Sequence, residues 1–282
     1  MSTMLARIVQ TFSFFVKGNI SRVRRIMIGR NVEAFAVNTC NGRFLIDPED
    51  IGVGGKLIKK NSYGQGEIER ICSLVGAENS VLFVGSHIGT LAIPVSKKTK
   101  IVTAIEANPR TFQLLSDNIL LNKCSNINAI QIAASDREGN LSFVASKSNS
   151  GGSKRMPLIH KYMYFYDNPE VIEVHSNKLD SVISNKFDLI VMDIEGSEYF
   201  ALKGMPRLLS DARHLIVEFV PHHLKNVASV SVDDFLSVIN PYFDMLYLPS
   251  KKLTVKKEKF SEVLNDMYDL EESDDGVIFS KL

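Results

Sequence analysis

The chain has 282 residues, 45% of them hydrophobic and 23% charged, and a formal net charge of +1. That balance excludes a strongly basic or acidic binding protein and fits a globular protein with a sizeable core, so no nucleic-acid partner is expected. Cys40, Cys72 and Cys124 stand far apart with no CxxC pair, which leaves a reducing, cytoplasmic setting as the expectation and no zinc motif.

Residues 4–28 read as an amphipathic helix or helix pair. Residues 1–32 hold Arg7, Lys17, Arg22, Arg24, Arg25 and Arg30 and no acidic residue. The apolar stretch IVQTFSFFV is too short and too polar to span a bilayer and carries no signal-peptide cleavage pattern. Such a helix packs on its own domain or on a second subunit in a homo-oligomer. Its other reading is a peripheral contact with an anionic membrane surface.

Residues 34–47 read as a hairpin around Asn41-Gly42. Residues 64–76 read as a helix, and the division expected is an N-terminal helix and hairpin extension over 1–63 and one domain over 64–282. From residue 80 strands and helices alternate. Strands are predicted at 81–84, 101–106, 127–133, 187–193, 214–220, 243–248 and 276–280. Helices are predicted up to about residue 96, then at 109–122 with a stripe of Phe112, Leu115, Ile119 and Leu120, and at 197–209 and 231–239. That alternation argues a mostly parallel α/β sheet with helices on both faces, whose ligands bind outside the carboxyl ends of the strands.

The strand ends carry the chemistry. The first runs into Gly85-Ser86-His87-Ile88-Gly89, where glycines let a ligand approach the backbone. The second ends at Glu106, followed by Ala107, Asn108 and Pro109. A carboxylate there can accept both hydroxyls of a ribose, so glycine turn and acid together indicate an adenosine-type cofactor. The third leads to Ala134 and Asp136, and Asp136 could meet an adenine amine or simply cap a turn. The fourth gives Asp193, Glu195 and Glu198 within six residues. The fifth ends at Glu218, before His222 and His223. Candidate catalytic groups are Asp193, Glu195 and His222, with His222 favoured as a base for its ordinary pKa near 6.5.

Together, VGSHIG at 84–89, AIEANPRTFQLLSDNILLN at 104–122, AASDREGNLSF at 133–143, LDSV at 179–182 and FDLIVMDIEGSEYFALKG at 187–204 resemble the FkbM-type family of S-adenosylmethionine-dependent methyltransferases. The last segment, with DxEGxE, is the most specific, and NILLN is the next.

The resemblance implies a seven-stranded Rossmann-like methyltransferase sheet, S-adenosylmethionine as cofactor and methyl transfer to a hydroxyl oxygen. Gly85 and Gly89 would line the methionine part, with Ser86 and His87 in the same loop. Glu106 would hold the ribose, beside Ala107 and Asn108. Ala134 and Asp136 would border adenine, and Asp193 would sit near the reacting methyl. Phe83 stands where that family usually has an acidic residue, and His87 where it often has Asn. Residues 145–170, rich in Lys, Arg and Tyr, suit a sugar, glycan or other small polar acceptor. Two rivals remain: a nicotinamide-dependent oxidoreductase, disfavoured by GxxxG, and a degenerate methyltransferase fold serving as a scaffold, for which Phe83 speaks.

Overall fold

The computed structural model describes residues 2–282. The N-terminal reading resolves to one continuous helix, α1 (Ser2–Ile28), followed by the antiparallel hairpin β1 (Phe35–Thr39) and β2 (Gly42–Ile46). The turn falls at Cys40-Asn41, one residue earlier than Asn41-Gly42 implies, and Gly42 opens β2 at φ +137°. Two helices follow, α2 (Val53–Lys60) and α3 (Gln65–Leu74).

The central sheet uses β3 (Ser80–Val84), β4 (Ile101–Glu106) and β5 (Ile127–Gln131), with α4 (Ala92–Ser96) and α5 (Pro109–Leu121) between them. β3 is buried along its length because Val81, Leu82, Phe83 and Val84 meet apolar layers on both faces. Asn108 caps α5 by accepting from the Arg110 N–H, with Pro109 in the first turn. Leu115 and Ile119 are buried as the stripe predicts, but Leu120 lies on the solvent side. The NILLN signature acquires a structural reason here. Asn118 and Asn122 each exchange hydrogen bonds with the backbone of β2, at Leu45 and Arg43, and so tie the hairpin to α5.

A second, four-stranded sheet interrupts the alternation: β6 (Ala133–Ala134), β7 (Gly139–Ala145), β8 (Lys154–Arg155) and β9 (Glu170–Asn177), in the order β6-β9-β7-β8. β7 is wet over its first half, and β9 alternates in burial but not in sequence, because apolar Val171 lies on its exposed face and polar Ser176 on its buried one. The chain re-enters the main sheet after α6 (Leu179–Val182) with β10 (Leu189–Met192). Then come α7 (Glu198–Lys203), α8 (Pro206–Asp211), β11 (His214–Phe219), α9 (Pro221–His223) and α10 (Val232–Ser237). Gly204 and Pro206 split the single helix expected over 197–209 into two. The chain closes with β12 (Met245–Leu248), β13 (Leu253–Lys256), α11 (Phe260–Asp269) and β14 (Asp274–Ser280).

The main sheet has the order β13-β12-β14-β11-β10-β3-β4-β5. β11, β10, β3, β4 and β5 are mutually parallel, and β14 enters antiparallel to β11 and β12. It is the methyltransferase-type α/β sheet with one strand more than the seven expected, since β13 pairs with β12 at the edge. Its sequence, LTVK, is too short and too exposed to announce itself. The strand order reverses between β3 and β10, which puts the end of β3 at the switch point.

Candidate functional site

The switch point brings the ends of β3, β4 and β10 to one edge. Gly85 follows β3 at φ +90°, and a Cβ there would run into the carbonyl oxygen of Asp193 at the end of β10. Only glycine lets the two parallel strands finish this close together. The next turn is held by Glu106, whose Oε2 accepts from the His87 N–H at 2.9 Å and whose Oε1 accepts from the Asn108 N–H at 2.8 Å. Burial pushes the Glu106 pKa up to about 7, against the pull of those N–H donors.

Below this loop lies a narrow pocket with a cavity volume of about 60 Å³. Its lining includes Gly85, His87, Glu106, Ala107, Ala134 and Asp193. Ala133, Leu141 and Phe143 make its far end apolar, and Arg155 and Ser153 close it from the inserted sheet. Two buried polar atoms in this lining lack any partner, His87 Nδ1 and Arg155 Nη1. His87 is held in the left-handed region at φ +51°, with Nε2 2.7 Å from Ser150 Oγ, which donates in turn to Asp50 Oδ2. Burial lowers the His87 pKa to about 4, so the ring is neutral near pH 7.

A second pocket shares Gly85, His87 and Asp193 with the first and is completed by Tyr63, Glu67, Phe83 and Glu195. Asp193 therefore stands where the two pockets meet. Its carboxylate faces the cavity and makes no hydrogen bond among the described residues. The side chain is itself open to the cleft, yet the protein walls around it, and then Glu195 and Glu198, raise its pKa well above the ordinary carboxylate value.

Glu195 is engaged instead. Its Oε2 lies 2.7 Å from Lys154 Nζ and 3.3 Å from His223 Nε2, and His223 Nδ1 is 3.2 Å from Glu218 Oε2. Lys154 is buried, which lowers its pKa, but Glu195 beside it outweighs burial and the net shift is upward. Glu195 also adopts φ +56°, a conformation that costs a non-glycine residue about 1–3 kcal/mol and tends to collect at functional sites.

The sequence-derived candidates thus divide. Gly85, His87, Glu106, Ala107, Ala134 and Asp193 line one pocket, and Ser86 lines the other. Gly89 supports the loop from behind, at φ +91° against Ile93 and Leu115. Asn108 serves as the α5 cap, and Asp136 lies outside both pockets with its carboxylate 3.6 Å from Lys203 Nζ. His222 lines neither pocket. Its Nδ1 is 3.1 Å from the Tyr164 hydroxyl, and it is His223 that reaches Glu195. Sequence reasoning did not single out Tyr63 or Glu67, and it named His223 only as half of the His222-His223 pair, choosing His222. Tyr63 and Glu67 come from the loop and helix before β3, where nothing in the sequence marks them as facing the cleft.

Residues 84–247 match the family model of the methyltransferase FkbM domain. A tRNA(Phe) (4-demethylwyosine(37)-C(7)) aminocarboxypropyltransferase of Methanocaldococcus jannaschii is 30% identical over 172 residues, covering 58% of this chain and 65% of its own. The hexuronic acid methyltransferase AglP of Haloferax volcanii is 28% identical over 160 residues, covering 55% of this chain and 62% of its own. The chain spans somewhat less than two thirds of the length of these curated relatives. Among solved structures, the methyltransferase FkbM of Methylobacillus flagellatus aligns with a TM-score of 0.42 at 18% identity, covering 72% of this chain and 43% of that one. The tRNA-modifying relative overturns one expectation. Near-zero net charge does not exclude a nucleic-acid partner, because whole-chain charge averages over the local surface that would meet a phosphate backbone.

Proposed function

This chain belongs to the FkbM methyltransferase family, and from that premise we propose that it transfers a methyl group from S-adenosylmethionine to a hydroxyl oxygen of a sugar or similar polar acceptor. The observation that carries the proposal is the meeting of Glu106, the Gly85 turn and Asp193 around one pocket at the switch point of the sheet.

The lining suits an adenosine-bearing group. Glu106 has lone pairs left for a vicinal diol, the Ala133, Ala134, Leu141 and Phe143 end accepts a flat ring, and Arg155 Nη1 awaits an acceptor. When bound, S-adenosylmethionine supplies a methyl already activated by a sulfonium. Phe83 removes a carboxylate from the end of β3, but Glu67 and Asp193 line the adjoining pocket and leave it acidic where a cationic ammonium would lie. The chain's residues then have two tasks. They hold acceptor and donor in line, worth about 7–11 kcal/mol where the alignment is good. They also take the acceptor's hydroxyl proton, worth about 10²–10⁴-fold.

We assign the proton to Asp193. Its carboxylate is unpaired and its raised pKa strengthens it as a base, whereas Glu195 is committed to Lys154 and His223. Beyond the place of the ammonium, the acidic wall formed by Asp193 and Glu195 favours a neutral hydroxyl-bearing acceptor over a carboxylate or phosphate.

Calorimetric titration with S-adenosylhomocysteine tests the cofactor half. Micromolar binding is expected for the wild type and loss of binding for Glu106→Ala. Absence of binding to the folded wild type would sink the methyltransferase reading in favour of a scaffold. Labelled-methyl transfer to a panel of neutral glycosides, hexuronic acids and tRNA then tests the acceptor half. Transfer to tRNA alone would refute a sugar acceptor.

A further inference from the structure

We propose that the outward face of α1 docks this protein on an anionic lipid surface. Among its described residues, α1 is fixed to the body along one side. Phe14 stacks against Tyr166 with ring centroids 4.8 Å apart, the Ser21 hydroxyl donates to the Glu49 carbonyl, and Arg25 Nε lies 3.8 Å from Glu49 Oε2. Gly18 lies directly against the Tyr166 backbone, where a side chain would collide with it. These positions, spaced four, three and four residues apart, form one helix face.

The opposite side is apolar and open. Phe12 is 66% exposed, Val23 53%, Ile26 73% and Met27 81%, and Val9, Phe15 and Ile20 are more than half exposed as well. At 100° per residue these side chains fall within one continuous arc, along about 27 Å of helix at 1.5 Å per residue. An isolated exposed apolar residue needs no explanation, but a contiguous stripe of this size does.

Charge selects the occupant. Residues 1–32 carry six basic residues and no acidic one. Arg24 and Arg25 are used internally, on the Asp50 and Val32 carbonyls, whereas Arg22 is exposed and so is Lys17, whose Nζ lies 5.6 Å from the Phe14 ring centroid. Arg22 precedes Ile26 by four residues and Lys17 precedes Ile20 by three, so the two cations border the apolar stripe on either side. A second copy of the chain on this face would set basic against basic, and the stripe is broader than a two-residue coiled-coil seam. An interfacial helix in an anionic bilayer satisfies both features, the apolar arc in the acyl boundary and the flanking cations among lipid phosphates. No helix among the described residues is long and apolar enough to cross a membrane, so contact would be peripheral.

The helix is also mechanically connected to the cleft. Tyr166, which packs on Phe14, accepts from the Ser148 hydroxyl, and Asp167 accepts from the N–H groups of Lys147 and Ser148. Two residues on, Ser150 holds His87. Docking through α1 therefore presents the loop that walls the cofactor pocket close to the interface.

The test is co-sedimentation of the full chain with vesicles of phosphatidylglycerol and phosphatidylcholine in equal parts, against pure phosphatidylcholine. Binding to the anionic vesicles is expected, weakening as salt rises. The surface variant Phe12→Ser/Val23→Ser/Met27→Ser should lose binding by tenfold or more, and Arg22→Glu by roughly fivefold to tenfold. Both variants should keep the wild-type melting temperature and S-adenosylhomocysteine affinity, because the altered side chains face away from the body. No sedimentation with anionic vesicles would overturn the proposal. So would undiminished binding by the triple variant, a solution dimer that the same variant dissolves, or salt-sensitive binding to RNA in place of lipid.

Discussion

The packed region around Phe279 is sealed from solvent, whereas the cleft around Asp193 is open to it, and the two hold opposite kinds of group. Phe279, on β14, packs within 6.3 Å of the Phe243 ring and 5.3 Å of the Phe260 ring, in a layer that includes Leu246, Leu264 and Met267. The nearby helix α10 starts with a complete capping box at Ser231 and Asp234. The cleft is lined by Glu106 and Asp193, with Glu198 and Glu218 in the protein around it, and all four carboxylates have raised pKa values. It also holds two non-glycine residues in left-handed conformations, His87 and Glu195. The first region stabilises the fold, and the second draws on that stability. Glu106 is kept buried on the cavity wall against a carboxylate's preference for water, and Asp193 is left unpaired at the opening. Glu198 is occupied by backbone N–H groups and Glu218 by His223.

Removing one element from each side sharpens this contrast. Asp193→Asn should lower methyl transfer by about 10²–10⁴-fold while S-adenosylhomocysteine affinity changes by only a few fold. Its melting temperature should not fall, because the Asp193 side chain is open to the cleft and has no hydrogen bond for the amide to lose. If cofactor affinity fell as steeply as the rate, Asp193 would be a binding residue and not the base. Phe279→Ala should do the reverse. Loss of a fully buried ring costs about 3–5 kcal/mol in denaturant unfolding, with cofactor affinity of the remaining folded protein unchanged.

The same contrast explains what could be read from the sequence. β3, β4, β10 and β11 announce themselves because strands buried on both faces are continuous apolar runs, and Gly85, Glu106 and Asp193 follow because ligands gather at the ends of such strands. The inserted sheet was illegible, since β7 starts in solvent and β9 puts Val171 on its wet face and Ser176 on its dry one, which masks its alternation. Partner choice among polar side chains was illegible too. Nothing local distinguishes His222 from His223. The turn after β11 aims His223 at Glu195 and Glu218 and leaves His222 on the Tyr164 hydroxyl. Lys154 stood out only as one cation of a basic loop, and its burial against Glu195 is a long-range pairing across 41 positions. Asp136 looked like a ligand contact by place in the chain, yet it pairs with Lys203 across the surface.

Titration of Glu106 gives the mildest effect but separates the two regions most directly. Its pKa stands at about 7, above the ordinary 4.5, because burial disfavours the charged form. In the free protein this group's stabilising contribution is therefore full below about pH 4.5 and is lost as pH rises through about 7. Binding a vicinal diol runs the other way, since only the ionised carboxylate accepts from both hydroxyls. Affinity for S-adenosylhomocysteine should thus be level well above pH 7 and should fall as pH drops through it, approaching tenfold per pH unit on the acid side. Glu106→Gln should bind more weakly and without this pH dependence. Calorimetry from about pH 5.5 to 8.5 on both proteins reads the difference. A wild-type affinity as flat as that of Glu106→Gln would mean that the carboxylate's two backbone donors, His87 and Asn108, consume it entirely, making Glu106 a structural brace of the loop with no hold on the ribose.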